Sequence, residues 1–345
     1  MGRCKNRGKS GVNVLDWVER ELTPTECNSE AFFYDEMESQ SGYCLPIIYQ
    51  PFDAGQKAHW RDRGSLFDFL CSTGGGGKRL LDFGPGDGWP SLIVAPFAAD
   101  VVGVDGSRKR VEVCTANAAR LGIANARFLY VEPGSPLPFE DGSFDGVMAA
   151  SSVEQTPDPQ ATLRELYRVL RPGGRLRISY EALGRYRGGA EREAELHERD
   201  GGSCWLTLFD RHIEEEYARM VRLALAMDRE QARQLFSGEA HHPAFEDITV
   251  SALQRLGPSI VETRVCTLNH PSGRTLAAWM REIGFREVRP THGGAWFAGR
   301  LFDRLPAENR PASLDGVDAV LRPLVEIVVQ MAAPVDRDPM ITAVK

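Results

Sequence analysis

The chain of 345 residues is 42% hydrophobic and 26% charged, which excludes an intrinsically disordered protein and predicts one domain with insertions, or two domains. Its net charge of -7 argues against an affinity that rests on neutralising many phosphates, so we expect no nucleic-acid partner. No apolar run approaches the roughly 20 residues that a membrane span needs, so we expect a soluble protein with no membrane partner.

The cysteines and the first residues bear on the cellular compartment. Seven cysteines occur without a C-x-x-C pair, and their odd number suggests neither a zinc site nor a disulfide framework. Met1–Asn6 lacks the Ser or Thr of a myristoylation signal, and no apolar stretch of a secretory leader follows it. We therefore expect a cytoplasmic protein.

Residues 1–75 are predicted to form an N-terminal helical and aromatic cap. The apolar periodicity of Val12–Leu22 predicts a short helix, and a second helix is predicted over Trp60–Leu70. An aromatic-rich segment that starts at Phe32–Tyr34 lies between them. The run Gly74–Gly77 then breaks the chain and marks a boundary.

Residues 76–180 show short apolar runs that alternate with amphipathic stretches of helical length. This alternation is typical of a parallel sheet covered by helices, and therefore of the α/β class. The predicted strands are Arg79–Phe83, Val101–Asp105, Ala126–Val131, Asp145–Ala149 and Arg175–Ser179. The predicted helices between them are Ser91–Ala98, Arg108–Leu121 and Pro159–Leu170.

The alternation stops after residue 180. Residues 181–273 carry a long amphipathic pattern from Ile213 to Phe236, which predicts that helices predominate there and form a lid insertion. Residues 274–345 are predicted to complete a seven-stranded sheet around a second insertion at 291–335. The elements predicted there are a helix over Thr275–Ile283 and strands over Phe285–Pro290 and Met340–Lys345.

A glycine-spaced turn follows the first predicted strand of this sheet. It runs from Gly84 to Gly88, and its glycines let a ligand approach the backbone with no β-carbon in the way. About twenty residues on, the next strand ends in Asp105, a carboxylate placed to accept hydrogen bonds from ribose hydroxyls. Together these features predict a nucleoside-type ligand across the carboxyl ends of the strands.

The spacing of the glycines discriminates between cofactors. Dinucleotide enzymes use G-x-G-x-x-G, whose helix N-terminus binds a pyrophosphate. Here Gly88 comes one residue early and the bulky Trp89 follows it. Asp82 and Asp87 add negative charge, which repels phosphates and suits a cationic sulfonium ligand that carries an amino group. A nicotinamide oxidoreductase is therefore the least favoured of the alternatives.

Four motifs resemble those of the class I (Rossmann-like) S-adenosylmethionine-dependent methyltransferases of the small-molecule type. They are D-x-G-P-G-D-G at 82–88, V-V-G-V-D-G-S at 101–107, L-P-F-E-D-G-S-F-D-G-V at 137–147 and L-x-E-L-Y-R-V-L-R-P-G-G-R-L at 163–176. The resemblance implies a Rossmann-like, mostly parallel seven-stranded sheet flanked by helices, and S-adenosylmethionine as the cofactor. The N-terminal helical cap and the helical lid insertions are expected in addition to that core.

The resemblance also assigns cofactor contacts residue by residue. The methionine and ribose contacts that it implies come from Asp82, Gly84, Gly86, Asp105, Gly106 and Ser107. The ribose is expected on Asp105, with the two following residues beside it. Ala150 and Ser151, after the fourth strand, are expected to line the same pocket.

Two alternatives remain for the adenine, because relatives carry an acid where this chain has Pro133. Either Glu132 contacts the adenine amino group, or the backbone around Gly134 and Ser135 does. Both alternatives use the loop after the third strand.

No catalytic residue stands out from the sequence. The candidates are His241 and His242 in a loop of the predicted lid, and Tyr180 and Glu181 directly after the fifth strand. The candidates for substrate contact are Tyr43, Tyr49 and Trp60, whose rings suit a sulfonium by cation–π attraction, and Gln155, which stands where many relatives have a histidine. A packing or solvent-exposed role suits each of them as well.

The predicted function is methyl transfer from S-adenosylmethionine to a small molecule, at oxygen, nitrogen or carbon, in a biosynthetic pathway. Ala149–Ser152 lacks the Asn/Asp-Pro-Pro-aromatic motif of nucleobase and glutamine methyltransferases, which favours a diffusible acceptor. A protein side-chain methyltransferase and a non-catalytic S-adenosylmethionine-binding protein remain as alternatives. No compact set of His, Asp and Glu outside the cofactor positions predicts a metal site, and a homo-oligomer is compatible with the sequence.

Overall fold

The structure, a computed structural model, describes residues 13–34, 50–199, 201–236, 241–335 and 340–345. Within these ranges, every helix is too short or too polar to cross a membrane. The helices are, in chain order, α1 (Val14–Leu22), α2 (Lys57–Ser72), α3 (Ser91–Val94), α4 (Arg108–Leu121), α5 (Pro159–Val169), α6 (Arg229–Gln234), α7 (Val250–Leu256), α8 (Gly273–Ile283), α9 (Gly294–Arg304) and α10 (Leu314–Val328).

The strands of the described residues form two sheets. In chain order they are β1 (Thr25–Glu26), β2 (Arg79–Phe83), β3 (Asp100–Asp105), β4 (Ala126–Tyr130), β5 (Phe144–Ala150), β6 (Leu170–Ser179), β7 (Arg192–Arg199), β8 (Ser203–His212), β9 (Tyr217–Leu225), β10 (Ile260–Asn269), β11 (Arg286–Thr291) and β12 (Met340–Val344). The order of the larger sheet is β11-β12-β6-β5-β2-β3-β4.

The larger sheet has the architecture that the alternating pattern predicts. Its core strands β6, β5, β2, β3 and β4 pair in parallel, and β12 runs antiparallel between β6 and β11. Helices cover both faces: Leu80 packs in a cluster with residues of α2 and α10, whereas its neighbour Leu81 packs with residues of α5 and α8. The predicted α/β class and the mostly parallel seven-stranded sheet are therefore confirmed.

Local signals explain where the helices beside the carboxyl edge begin. Ser107 accepts a hydrogen bond from Arg110 N at 3.2 Å and starts α4 directly after β3. Asp158 accepts from Ala161 N at 2.9 Å and starts α5, whose first residue is Pro159. Both capping residues follow loops that come from the ends of core strands, so the loops and the helix starts are positioned together.

The smaller sheet corrects the prediction for residues 181–273. Helices were expected to predominate there, but the segment forms the four long antiparallel strands β7 to β10, with β1 beside β10 in the sheet order β1-β10-β9-β8-β7. The α-helices among its described residues are the short α6 and α7. The cause lies in the central strand β9. Met220 packs with Phe32 on one face of the sheet, while Val221 packs with Leu15 on the other. Because both faces are covered, the apolar residues do not alternate and resemble a helical pattern.

The N-terminal segment belongs to this smaller sheet rather than to one separate cap. β1 pairs in parallel with β10, and Cys27 N donates to Val265 O at 3.0 Å. A π-helical turn at Glu30–Tyr34 follows, and the Arg222 side chain of β9 donates to Phe32 O. The sheet therefore carries the turn to its place at the carboxyl edge of the larger sheet.

The C-terminal insertion forms helices that pack on α2. The predicted elements of residues 274–345 are confirmed as α8, β11 and β12, with α9 and α10 in the segment at 291–335. Gly64 of α2 and Gly294 of α9 face each other so closely that a β-carbon on Gly64 would lie 2.4 Å from Gly294 O. This contact fixes α2, and with it the side of the cavity that α2 forms.

Candidate active site

A cavity of about 910 Å³ opens at the carboxyl ends of the core strands. Its walls come from the loops after β2, β3, β4 and β5, from α2 and α5, and from the N-terminal turn through Glu30. The predicted site residues that line it are Gly84, Gly86, Asp105, Gly106, Glu132, Gly134, Ala150, Ser151 and Gln155. Open parallel sheets bind ligands at this edge, because the loops of neighbouring strands diverge there.

Two glycines give the loop after β2 its shape. Gly84 has φ 72°, and a β-carbon on it would lie 2.4 Å from Ser152 Cβ. Gly86 has φ 60°, but an added β-carbon there would meet no atom within 4 Å. Gly84 is thus required for packing, whereas Gly86 presents bare backbone to the cavity.

Asp105 ties the end of β3 to the glycine loop. Its Oδ2 accepts a hydrogen bond from Gly86 N at 3.2 Å, and its Oδ1 accepts from Ser107 N at 2.9 Å. Asp105 also lines the cavity, so its carboxylate oxygens lie beside the space that a ligand would fill. Ser107 is buried and does not line the cavity, so in this structure it caps α4 and orients Asp105.

Asp82 lies behind the loop rather than in the cavity wall. Its Oδ2 accepts from Ser91 N at 2.9 Å and from Ser91 Oγ at 2.6 Å, which binds β2 to the start of α3. Its Oδ1 is buried without a hydrogen-bond partner among the described residues. Burial raises the pKa of Asp82 to about 7, and the neighbouring Asp105 carboxylate raises it further.

The loop after β4 contains both predicted alternatives for adenine contact. Glu132 and Gly134 line the cavity, and Ser135 N donates to Glu132 O at 2.9 Å. The Tyr130 hydroxyl donates to the Glu132 carboxylate, and the Arg108 guanidinium lies 3.7 Å above the Tyr130 ring. Which of the two groups contacts adenine stays a prediction.

The loop after β5 forms the floor between the glycine loop and α5. Ser151, with φ 51°, lines the cavity beside Ala150. The Gln155 side chain donates from Nε2 to Ser151 O at 2.8 Å, and the main-chain carbonyl of Gln155 accepts a hydrogen bond from Ser29 Oγ. The position where many relatives have a histidine therefore holds an amide that braces the loop.

A buried acid next to this floor was missed by sequence reasoning. Glu154 is fully buried; its Oε1 accepts from Glu181 N at 3.0 Å, and its Oε2 has no hydrogen-bond partner among the described residues. Burial raises the pKa of Glu154 to about 7. It joins the ends of β5 and β6, which nothing in the local sequence pattern indicates.

The structure does not bring the histidine candidates to the cavity. His242 accepts from Leu196 N of β7 at 3.0 Å through Nδ1, and His241 packs its ring against His242. Neither lines the cavity. The folding of residues 181–273 as a sheet explains the discrepancy, because the loop that carries both rings packs on β7.

The remaining candidates are also placed elsewhere, or are not described. Tyr180 is buried and donates to Val335 O at 3.1 Å, and Glu181 is exposed beyond the cavity wall. Trp60 is fully buried, donates to Ala54 O at 2.9 Å and packs in the core that α2 shares with α9. Tyr43 and Tyr49 lie outside the described residues.

Residues outside the sequence motifs also line the cavity. Asp62 comes from α2, Glu30 from the N-terminal turn and Trp89 from the end of the glycine loop. The first two lie far from the family motifs in sequence, so only the tertiary structure brings them to the site. Among the described residues, no group of three or more His, Cys, Asp or Glu is arranged to hold a metal ion.

Comparisons with known proteins agree with this geometry. Residues 81–178 match the family model described as a methyltransferase domain. Arsenite methyltransferase of Aquipseudomonas alcaligenes is 36% identical over 112 residues, which cover 30% of this chain and 32% of that protein. The 27-O-demethylrifamycin SV methyltransferase of Amycolatopsis mediterranei is 37% identical over 121 residues, which cover 34% and 44% of the two chains.

Among solved structures, the CcbJ methyltransferase of Streptomyces caelestis is 12% identical and covers 86% of this chain and 98% of its own, with a TM-score of 0.47. The chain spans about a third of the length of the arsenite methyltransferase and less than half of the length of the demethylrifamycin methyltransferase. The match at residues 81–178 falls on the motifs, the seven-stranded sheet and the glycine loop. This part of the chain is a class I, Rossmann-like domain of the S-adenosylmethionine-dependent methyltransferases.

Proposed function

We propose that the protein transfers a methyl group from S-adenosylmethionine to a small molecule bound in the same cavity. The observation that carries the proposal is the pairing of Asp105 with Gly86 at 3.2 Å. It places the bare backbone of Gly86 next to the Asp105 carboxylate at one end of the cavity, where a nucleoside ligand would contact both.

The residues present fit this cofactor. Asp87 and Asp105 give the loop a negative charge, which suits a sulfonium and an amino group and disfavours a pyrophosphate; Asp82, whose pKa is raised to about 7, adds to this charge when it is ionised. The Asp82 carboxylate also keeps one buried oxygen without a hydrogen-bond partner among the described residues, beside the glycine loop. In this arrangement Gly84 and Gly86 would hold the methionine part and Asp105 the ribose.

The cofactor would supply a methyl group bonded to a positively charged sulfur, and that sulfur would become a neutral thioether once the methyl group is transferred to the acceptor. The protein then has to orient the acceptor in line with the methyl–sulfur bond and exclude water. The N-terminal turn supports this role, because Ser29 bonds to the Gln155 carbonyl and Glu30 covers Gly106. No general base is assigned, since a base is required only for acceptors that must lose a proton early.

The shape of the cavity favours a small acceptor over a protein side chain. Glu30 and Asp62 add walls to the cavity from outside the core, which restricts the space for an acceptor. The volume of about 910 Å³ lies near the top of the roughly 300–1,000 Å³ typical of small-molecule sites, which leaves room beside a cofactor. Protein methylation and binding without catalysis remain the alternatives.

The names of the relatives do not identify the acceptor, because they extend from arsenite to a demethylrifamycin. They support a role in small-molecule metabolism, which we place in a biosynthetic pathway of the cytoplasm. The same proposal involves neither nucleic acid nor membrane as a partner.

Calorimetry with S-adenosylhomocysteine tests the cofactor site. We expect wild type to bind, and Asp105→Ala to lose at least tenfold in affinity because the ribose hydroxyls lose a charged acceptor. Asp100→Ala is the matched control, since Asp100 lies at the opposite end of β3 and pairs with Arg127. Absence of binding to wild type, or equal affinities for wild type and Asp105→Ala, would refute the proposal.

A further inference from the structure

One carboxylate in the cavity wall, that of Asp62, has charges of His59, Arg61 and Arg63 near it but neither a hydrogen-bond nor an ion-pair partner among the described residues. Asp62 lines the cavity from α2. Other lining carboxylates are engaged: Glu165 accepts from Arg168, and Asp158 caps α5. Asp62 is therefore available to a ligand in a way that those two are not.

The position of Asp62 follows from the direction of α2. The helix ends beside Gly146, near the start of β5, and Asp68 binds Arg177, two residues before the end of β6. α2 therefore runs opposite to the parallel strands, and residues before Asp68 lie nearer the carboxyl edge. Asp62 precedes Asp68 by six residues, which is about 9 Å along the helix axis. About three residues of strand span the same distance, so Asp62 lies level with the end of β6.

This end of the cavity is opposite to the ribose site. In the sheet order, β6 and β5 lie on one side of β2, whereas β3 and β4 lie on the other. Asp105 ends β3, and Glu132 lies in the loop after β4. The glycine loop after β2 lies between the two ends. A ligand at Asp62 would thus occupy the part of the cavity that the nucleoside leaves free.

The charge of the cavity favours a cation there. The described lining residues include seven Asp or Glu side chains and two arginines, Arg110 of α4 and Arg164 of α5. Next to Asp62 in the chain, Arg61 is exposed and Arg63 is bound to Asp318 at 2.8 Å. Burial raises the pKa of Asp62, and a cation beside it would offset that cost.

Aromatic side chains line the same cavity as this carboxylate. Trp89 and Phe83 both line the cavity, and the Trp89 ring packs edge-on against Phe69 of α2, with ring centroids 5.6 Å apart. Phe69 lies seven residues after Asp62 on the same face of α2, which is about 10 Å along the helix. A cavity that holds both a carboxylate and aromatic side chains suits a cationic nitrogen on an apolar body.

We propose that Asp62 binds a positively charged nitrogen of the acceptor, so that the substrate class is an amine with an apolar body. This inference rests on the proposed methyltransferase function and deepens it. It concerns recognition of the substrate, and it leaves the methylated atom unassigned.

The test uses the full chain in complex with S-adenosylhomocysteine and matched pairs of probes, each an amine and the alcohol of the same shape. Tryptamine with tryptophol and phenethylamine with phenethyl alcohol are suitable pairs, with affinities measured by ligand-observed NMR. We expect the amine of at least one pair to bind about tenfold more tightly than its alcohol, as a charged hydrogen bond predicts. Asp62→Asn should remove that preference without changing the affinity for S-adenosylhomocysteine.

Asp315→Asn, an exposed carboxylate in the first turn of α10, is the control and should keep the preference. Equal binding of amine and alcohol in every pair, or an undiminished preference in Asp62→Asn, would overturn the inference. A wild-type chain that fails to bind S-adenosylhomocysteine would instead refute the proposed function, so the two failures are distinguishable.

Discussion

Asp68 and Arg177 form a bidentate ion pair in which both side chains are buried. Arg177 Nε lies 2.7 Å from Asp68 Oδ1, and its NH2 group lies 2.9 Å from Oδ2. Gly294 N also donates to Asp68 at 2.6 Å, and the Arg177 side chain donates to Thr291 Oγ1. The pair thus joins α2, β6 and the start of α9, and it orients the helix that carries Asp62.

We expect Arg177→Met to lower the free energy of unfolding by about 3–5 kcal/mol, because it leaves the Asp68 carboxylate buried without its counter-charge. Urea denaturation followed by circular dichroism measures the change. The double variant Asp68→Leu/Arg177→Met is the control and should recover part of the loss, since neither charge then remains buried. A single variant within 1 kcal/mol of wild type would contradict this account of the pair.

Substitutions of Gly84 and Gly86 should differ in their effects on folding and on cofactor binding. Gly86→Ala places a methyl group where no atom lies within 4 Å, so we expect about 1 kcal/mol of backbone strain and a large loss of S-adenosylhomocysteine affinity. Gly84→Ala adds a clash with Ser152 and should lower the melting temperature much further. Thermal denaturation and calorimetry on both variants measure this contrast. Unchanged affinity in a folded Gly86→Ala protein would show that the loop does not contact the cofactor.

Glu154 should make stability depend on pH. Burial raises its pKa to about 7 from 4.5, so the folded state holds a proton that the unfolded state releases, and stability falls as pH rises between these values. Glu154→Gln removes the titration and should gain up to about 3 kcal/mol relative to wild type between pH 5 and pH 8. Asp82, whose pKa is also about 7, titrates in both proteins and cancels in the difference.

Urea denaturation of wild type and Glu154→Gln across this range measures the effect. Glu282→Gln, on the exposed side of α8, provides the comparison for a solvent-facing substitution of the same type. A difference between wild type and Glu154→Gln that stays constant from pH 5 to pH 8 would show that Glu154 is not a titrating buried acid.

The crossing of α2 and α9 should not tolerate a methyl group. Gly64→Ala would bring its β-carbon to 2.4 Å from Gly294 O, so we expect a loss of about 2–3 kcal/mol as the helices separate. Gly257→Ala is the control, because its φ is negative and an added β-carbon meets no atom within 4 Å. Equal melting temperatures for the two variants would mean that the helices do not pack at this contact.

The proposed cofactor half of the site could be predicted because its determinants are local. Gly84, Gly86 and Asp105 lie at or directly after the ends of strands, and parallel strands bring such positions to one edge of the sheet. The proposed acceptor half could not be predicted in this way. Asp62 and Glu30 reach the cavity only because α2 packs on β6 and β1 pairs with β10, contacts between segments that are distant in the chain.

The seven-stranded α/β core, its methyltransferase motifs and the bounds of most of its elements could be predicted from the amino-acid pattern, because alternating strands and helices give periodic hydrophobic patterns. The sheet formed within residues 181–273 depends on long-range packing, because β9 is buried on both faces and lacks the alternation of a half-exposed strand. Long-range packing also makes Trp60 a core residue and places Asp62, two positions later, in the cavity wall. Neighbouring residues of a helix point in different directions, and long-range packing selects which of them meets a ligand.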